Sequence, residues 1–327
     1  MAQIENRKRI AWIDIVRGMG IFLVIMGHTY RSNPVLNWIV SFHMPLFFIL
    51  SGWLRGYKRK NLKWNAFLIK KIQAFLVPLV IFQSITYLYW LVIESRFRDF
   101  DFGPMWFLVA LFIAELLAEI IIDFCGRMGI MISVLLSGTG LYFSACVIEA
   151  ESVFVWLPRC MGALLFFLMG VLISEYIDLT DVEIKKQLLW LPILTGGGSL
   201  LLSQINGRVD LYFLLFGNYF IYLVASLLGS VFMYGVAALI KNNRYLEYIG
   251  RYSIIILCTH EPIKRAVIQL ISIVSGRSSD VLRNDILGGF IIAIIVLFIE
   301  IVVIYIVKML AVGLRRTKLD WLVAFVK

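Results

Sequence analysis

The chain has 327 residues, 61% of them hydrophobic and only 16% charged, with a mean hydropathy of +0.88, against about 45–50% apolar and about 25% charged in soluble domains. That composition excludes a soluble enzyme, a disordered chain and a secreted disulfide scaffold, and predicts an all-α integral membrane protein. The formal charge of +10, from 31 Lys and Arg against 21 Asp and Glu, predicts no nucleic-acid partner, because in a membrane chain such an excess follows from the preference of basic residues for cytoplasmic loops.

At about 20 residues per span the chain accommodates a bundle of about ten transmembrane helices and little else, so a single domain over 1–327 is expected. The first apolar run follows Arg7-Lys8-Arg9 and resembles the start of a signal peptide. Asp14 and Arg17 interrupt it and no small-residue cleavage site follows, which predicts a retained helix over 11–31. The remaining spans are expected over 37–54, 67–92, 104–124, 129–148, 155–175, 187–205, 216–240, 250–273 and 286–311. With the N-terminus inside, twenty basic residues fall on inner segments and six on outer loops, so both termini are expected in the cytoplasm. The run Gly196-Gly197-Gly198 in the seventh span predicts close helix contact or a break.

Ionisable groups cost about 2.5–3.5 kcal/mol at the centre of a membrane helix, which makes each one a site hypothesis. Arg17 and His28 are eleven residues apart, so they return to within about 20° of the same helix face and lie about 16 Å apart along it. Asp14, three residues before Arg17, can pair with it. His43 opens the second span in Phe42-His43-Met44-Pro45; it should reach a depth near His28, with Pro45 in the first turns where a missing N–H costs little. His260-Glu261-Pro262, followed by Lys264 and Arg265, falls near mid-span and needs water or partners, unless the stretch is interfacial. Trp106 and Arg159 begin the fourth and sixth spans; each is either a substrate contact or an interfacial anchor. Arg59, Lys70 and Lys71 belong to an inner basic cluster that signals topology and could also steer a polyphosphate donor. The four cysteines show no C-x-x-C or metal-ligand spacing to histidine; they are expected to be core thiols, with no metal site.

Taken together, Asp14-Ile-Val-Arg17-Gly18, Gly27-His28, Phe42-His43-Met44-Pro45-Leu-Phe-Phe, Trp106-Phe107-Leu108, Phe166-Phe167-Leu-Met-Gly170 and Gly250-Arg-Tyr-Ser253 through His260 resemble the acyltransferase-3 family of membrane O-acyltransferases, nearest its fucose 4-O-acetylase-like branch. The resemblance implies transfer of an acetyl or other short acyl group from cytoplasmic acetyl-CoA to a hydroxyl of a cell-surface glycan or its lipid-linked precursor, in a multi-pass protein of a bacterial inner or plasma membrane. Arg17, His28 and His43 match the family's functional positions. Lys70-Lys71 stands where many members carry an arginine pair. Many members also append an extracytoplasmic domain for which this chain has no room, so a separate partner is expected for any such step.

Acyl transfer to a hydroxyl needs a base for its proton and donors for the developing oxyanion. An imidazole, with a reference pKa of about 6.5, suits the first role. His28 is the expected base, an acyl-histidine intermediate being the alternative. Arg17 and the inner lysines are expected to hold the donor, and Trp106, Arg159, His260 and Glu261 the acceptor, along one path joining cytosol to exterior. Two competing classes are a proton-coupled transporter of small polar solutes, which should show paired interrupted helices in its two halves, and a non-catalytic scaffold, whose buried histidines would be replaceable.

Overall fold

The structure is a computed structural model and describes residues 10–58, 63–95, 102–149, 152–177, 190–317 and 319–326. It is helical throughout its described residues apart from turns and one isolated bridge between Asp210 and Leu215. The long helices are α1 (Ala11–Thr29), α2 (Pro34–Lys58), α5 (Trp106–Val147), α6 (Trp156–Tyr176), α7 (Trp190–Asn206), α8 (Tyr219–Ile240), α10 (Ser253–Ser275) and α12 (Ile286–Leu314). Helices α3 (Trp64–Lys71) and α4 (Val77–Val92) join through a π-helical turn, Ile72–Leu76. Short helices α9 (Arg244–Arg251) and α11 (Ser279–Asn284) precede α10 and α12.

Among the described residues seven helical stretches are long and apolar enough to cross a membrane, where the sequence pattern predicted ten spans. Two of the expected spans, 104–124 and 129–148, lie in one 42-residue stretch, α5. At about 1.5 Å per residue it would be twice as long as the hydrocarbon is thick if it were straight. It breaks at Gly126, whose φ of 57° and ψ of −162° are non-helical and cost glycine little. Helix α7 has 17 residues. Helix α10 carries Glu261, Lys264 and Arg265 in its middle, so it lacks the apolar run of its neighbours.

Helix α2 lies at the centre, packed on α1, α6, α7 and α8. Its crossing with α6 is close because both sides present glycine: a Cβ on Gly52 would collide with the Phe167 carbonyl, and one on Gly170 with the Ile49 carbonyl. Small residues of this kind let membrane helices gain dispersion contact where lipid offers no hydrophobic drive. The Gly196–Gly198 run serves the same end, since α7 is unbroken there and Gly196 faces the Phe232 ring of α8.

Pro45 corrects one expectation. Helix α2 begins at Pro34, so Pro45 sits three turns inside it and leaves the Ser41 carbonyl without its helical donor. The Ser226 hydroxyl of α8 donates to that carbonyl at 2.6 Å, with both groups buried. The proline therefore trades an internal bond for one between helices. A second correction concerns the cysteines, which are all unpaired thiols: Cys160 and Cys258 are buried, but Cys125 and Cys146 are exposed on the α5 surface rather than in the core.

Candidate active site

His28 and His43 line one cavity of about 790 Å³, although they lie on different helices. Helix α1 delivers His28 in its last turn. Arg283 of α11 pins that end, its Nε donating to the Thr29 carbonyl at 2.9 Å and its Nη2 to the His28 carbonyl at 3.3 Å. These are carbonyls that a helix C-terminus leaves without internal donors. His43 comes from the third turn of α2, where its Nδ1 lies 2.9 Å from the Ile39 carbonyl. A carbonyl only accepts, so Nδ1 carries the hydrogen and Nε2 keeps a lone pair.

Helix α10 supplies the charged wall. Glu261, Lys264 and Arg265 all line the cavity, and they partner one another. Lys264 Nζ donates to Glu261 Oε2 at 2.6 Å and Arg265 Nε to Glu261 Oε1 at 2.8 Å; Arg265 also reaches Glu94, just past the end of α4, at 3.7 Å. The helix is continuous through Pro262. His260 is fully buried beside the cavity, with Nδ1 2.9 Å from the Ile256 carbonyl. Its ring centroid lies 5.0 Å from that of His28, and its Nε2 has no hydrogen-bond partner.

The three imidazoles therefore differ in one respect that matters chemically. His43 and His260 each spend Nδ1 on a carbonyl of their own helix, while His28 Nδ1 faces the Glu261 carboxylate, with Oε2 at 3.9 Å. Glu261 thus stands beside His28 and, more distantly, His260, whereas no acidic group is paired with His43. One ligand atom each from His28, His260 and Glu261 also fall within 4.8 Å of one another, a spacing open to a metal ion. Lys264, bonded to the same Glu261 oxygen, holds a lone pair that such an ion would need and adds charge of its sign. The residues fit a carboxylate-supported base better than a metal centre.

Trp106 and Arg159 are not interfacial anchors, for each is only 5% exposed. Trp106 lines the cavity. Arg159 stacks its guanidinium 3.8 Å from the Tyr212 ring centroid, and Tyr212 lines the cavity in turn. The segment around Arg208, Asp210 and Tyr212, between α7 and α8, also belongs to the wall. Sequence reasoning missed it, although a charged and aromatic cluster in a short loop of so apolar a chain was a usable signal.

The donor-side residues lie elsewhere. Arg17 is outside the lining of the cavity and pairs with the buried Asp14 at 3.7 Å. Lys71 forms an ion pair with the buried Glu115, which also feels the charge of Arg17. Arg55 grips Glu119 through two hydrogen bonds of 2.5 and 2.7 Å. Lys70 is exposed, and Arg59 lies outside the described residues. Between this level and His28, Gly20 of α1 abuts the Phe47 ring, and Phe47 and Phe48 pack on Phe107 with centroids 5.9 and 4.8 Å apart. The cavity that holds the histidines does not reach Arg17, and the expected path between the two levels would run past this aromatic packing.

A family model described as an acyltransferase domain, of the acyltransferase-3 type, matches residues 10–309. No curated protein and no solved structure matches the chain.

Proposed function

The chain belongs to the acyltransferase-3 family, and from that membership we propose that it is a membrane O-acetyltransferase moving an acetyl group from acetyl-CoA on the cytoplasmic side to a hydroxyl of a cell-surface glycan or its lipid-linked precursor. The observation that carries this reading is the pairing of His28 with Glu261 in a cavity that His43 also lines. Glu261 favours the Nδ1–H tautomer of His28 and leaves Nε2 to accept the hydroxyl proton. As the proton transfers, the hydroxyl oxygen attacks the thioester carbonyl. The C–S bond then breaks, and the departing thiolate takes the proton from His28. The separation of 3.9 Å between Nδ1 and Oε2 exceeds a hydrogen bond; contacts of this kind often tighten once substrate is bound.

Arg17 and Lys71 lie at the basic end of the bundle and suit the phosphates of the nucleotide, with both termini and the donor on the cytoplasmic face. Passage of the pantetheine arm from that end to His28 would run past Phe47 and Phe107. The test uses the full chain in proteoliposomes given radiolabelled acetyl-CoA on the inner side and de-O-acetylated surface glycan from the source cells outside. Label and the mass increment of one acetyl group are expected on the glycan. Absence of both acetyl-CoA binding and turnover, or turnover that leaves no label on the glycan, would reject the proposal.

A further inference from the structure

The part of the cavity wall that lies between α7 and α8 has no role in the acyl-transfer step as written above, yet it is held by a dense set of bonds. Between α7 and α8 the chain makes a turn over 207–218. Asp210 and Leu215 exchange both backbone hydrogen bonds, at 2.7 and 2.9 Å. Asp210 Oδ1 accepts from the backbone N–H of Tyr212 at 2.9 Å and of Phe213 at 3.4 Å, the self-bonded turn that aspartate favours. The Asn206 side chain closes the base, donating to the Phe216 carbonyl at 2.8 Å and accepting from the Asn218 N–H at 2.7 Å. Every one of these bonds is internal to 206–218, so the turn holds its shape independently of a ligand.

What the turn presents is Tyr212. Arg159 covers one face of its ring at 3.8 Å and donates from Nε to the Tyr212 carbonyl at 2.9 Å. Phe213 packs against the same ring at right angles, with centroids 4.8 Å apart, and Tyr212 and Phe213 both line the open volume. Trp106 lies beside Tyr212, with centroids 5.8 Å apart and planes at 50°, and also lines the cavity. Arg208, Gln269 and Ser272 contribute polar groups to the lining of the same cavity.

We propose that Tyr212 and Trp106 form an acceptor subsite that takes a pyranose ring by its C–H face, with polar groups of the lining meeting the hydroxyls. Such a ring is apolar on its faces and polar around its edge, which suits a lining of aromatic and polar groups. A cavity of about 790 Å³ lies within the usual range of about 300–1,000 Å³ for small-molecule sites. The assignment rests on the acyl-transfer reading for its meaning, since it places a sugar hydroxyl in the same cavity as His28, but its test does not need turnover.

Saturation-transfer NMR on the full chain in lipid nanodiscs, with methyl glucopyranoside, methyl galactopyranoside and glycerol as probes, reads the contact directly. The two glycosides should receive saturation at ring C–H protons, and glycerol should not. Tyr212→Leu, which keeps apolar bulk without a planar face, should lower the glycoside signal about tenfold, the size expected of one aromatic contact, and Tyr212→Phe should retain it. Equal transfer to glycerol, full signal in Tyr212→Leu, loss in Tyr212→Phe with unchanged thermal stability, or no glycoside signal in the unaltered protein would each overturn the subsite. Acetyl transfer from labelled acetyl-CoA to the surface glycan by the unaltered protein, followed separately, judges the acyl-transfer reading: its absence alongside a glycoside signal would reject that reading and leave the sugar site standing.

Discussion

The two ends of helix α1 carry charge for different purposes. At the Arg17 end each buried carboxylate meets a cation, as Asp14 does with Arg17, Glu115 with Lys71 and Glu119 with Arg55, and this level lies outside the cavity that holds the histidines. At the His28 end one carboxylate, Glu261, is shared among Lys264, Arg265 and His28, and the group opens on that cavity. A carboxylate whose neighbours are lysine and arginine faces charges that stay fixed near neutral pH. A carboxylate shared with a titratable ring can follow a proton that moves, so the unevenness of the second end is what marks it as chemical.

The largest expected effect breaks the comparison at its chemical end. His28→Ala should lower acyl transfer about 10²–10⁴-fold, the range of general-base catalysis, with acetyl-CoA binding retained; a loss below tenfold would shift the base to His43. Glu261→Gln comes next. It removes a charge-assisted partner worth about 1.5–3 kcal/mol, so kcat should fall about 10–100-fold with KM for the donor little changed. A rise in donor KM alone would make Glu261 a binding group instead.

At the other end, Arg17→Gln should raise the KM for acetyl-CoA about tenfold, the worth of one charge-assisted contact, and leave kcat nearly intact. A fall in kcat with unaltered KM would move Arg17 to the chemistry. The smallest effect is expected away from both ends. Ser226→Ala strands the Ser41 carbonyl beside Pro45, which should cost about 1–3 kcal/mol of stability, seen as a lower Tm in detergent. Transfer by the folded fraction should stay within about threefold, because an effect confined to packing away from the site reaches the chemistry only weakly. A larger loss of turnover would tie the α2–α8 contact to the site.

Much of the site was legible in advance, and the reason is cost. Charged and imidazole groups in an apolar chain are few, so His28, His43, Glu261 and Trp106 stood out as candidates, and the structure brings all four to one cavity. Arg159 was also visible, but its service to Tyr212 was not, because that contact joins residues 53 positions apart. The turn at 207–218 was passed over because loops are expected to be polar, and polarity there carries no penalty to notice. Pro45 was misplaced for a local reason: the start of α2 at Pro34 depends on a tight connection after Thr29, whereas periodicity reports a helix interior better than its end.

Composition and hydropathy alone determined that the chain is a multi-pass helical membrane protein, since solvation by lipid is a property of each segment and needs no knowledge of its neighbours. Spacing alone placed Arg17 and His28 on one face of α1, because helical geometry is local. Tertiary structure decided what that face meets. It set phenylalanine rings between the two levels, gave His28 rather than His43 the carboxylate, and turned Tyr212 toward the cavity. Those outcomes depend on which helices lie side by side, and pairing between distant segments is settled by packing that no single segment encodes.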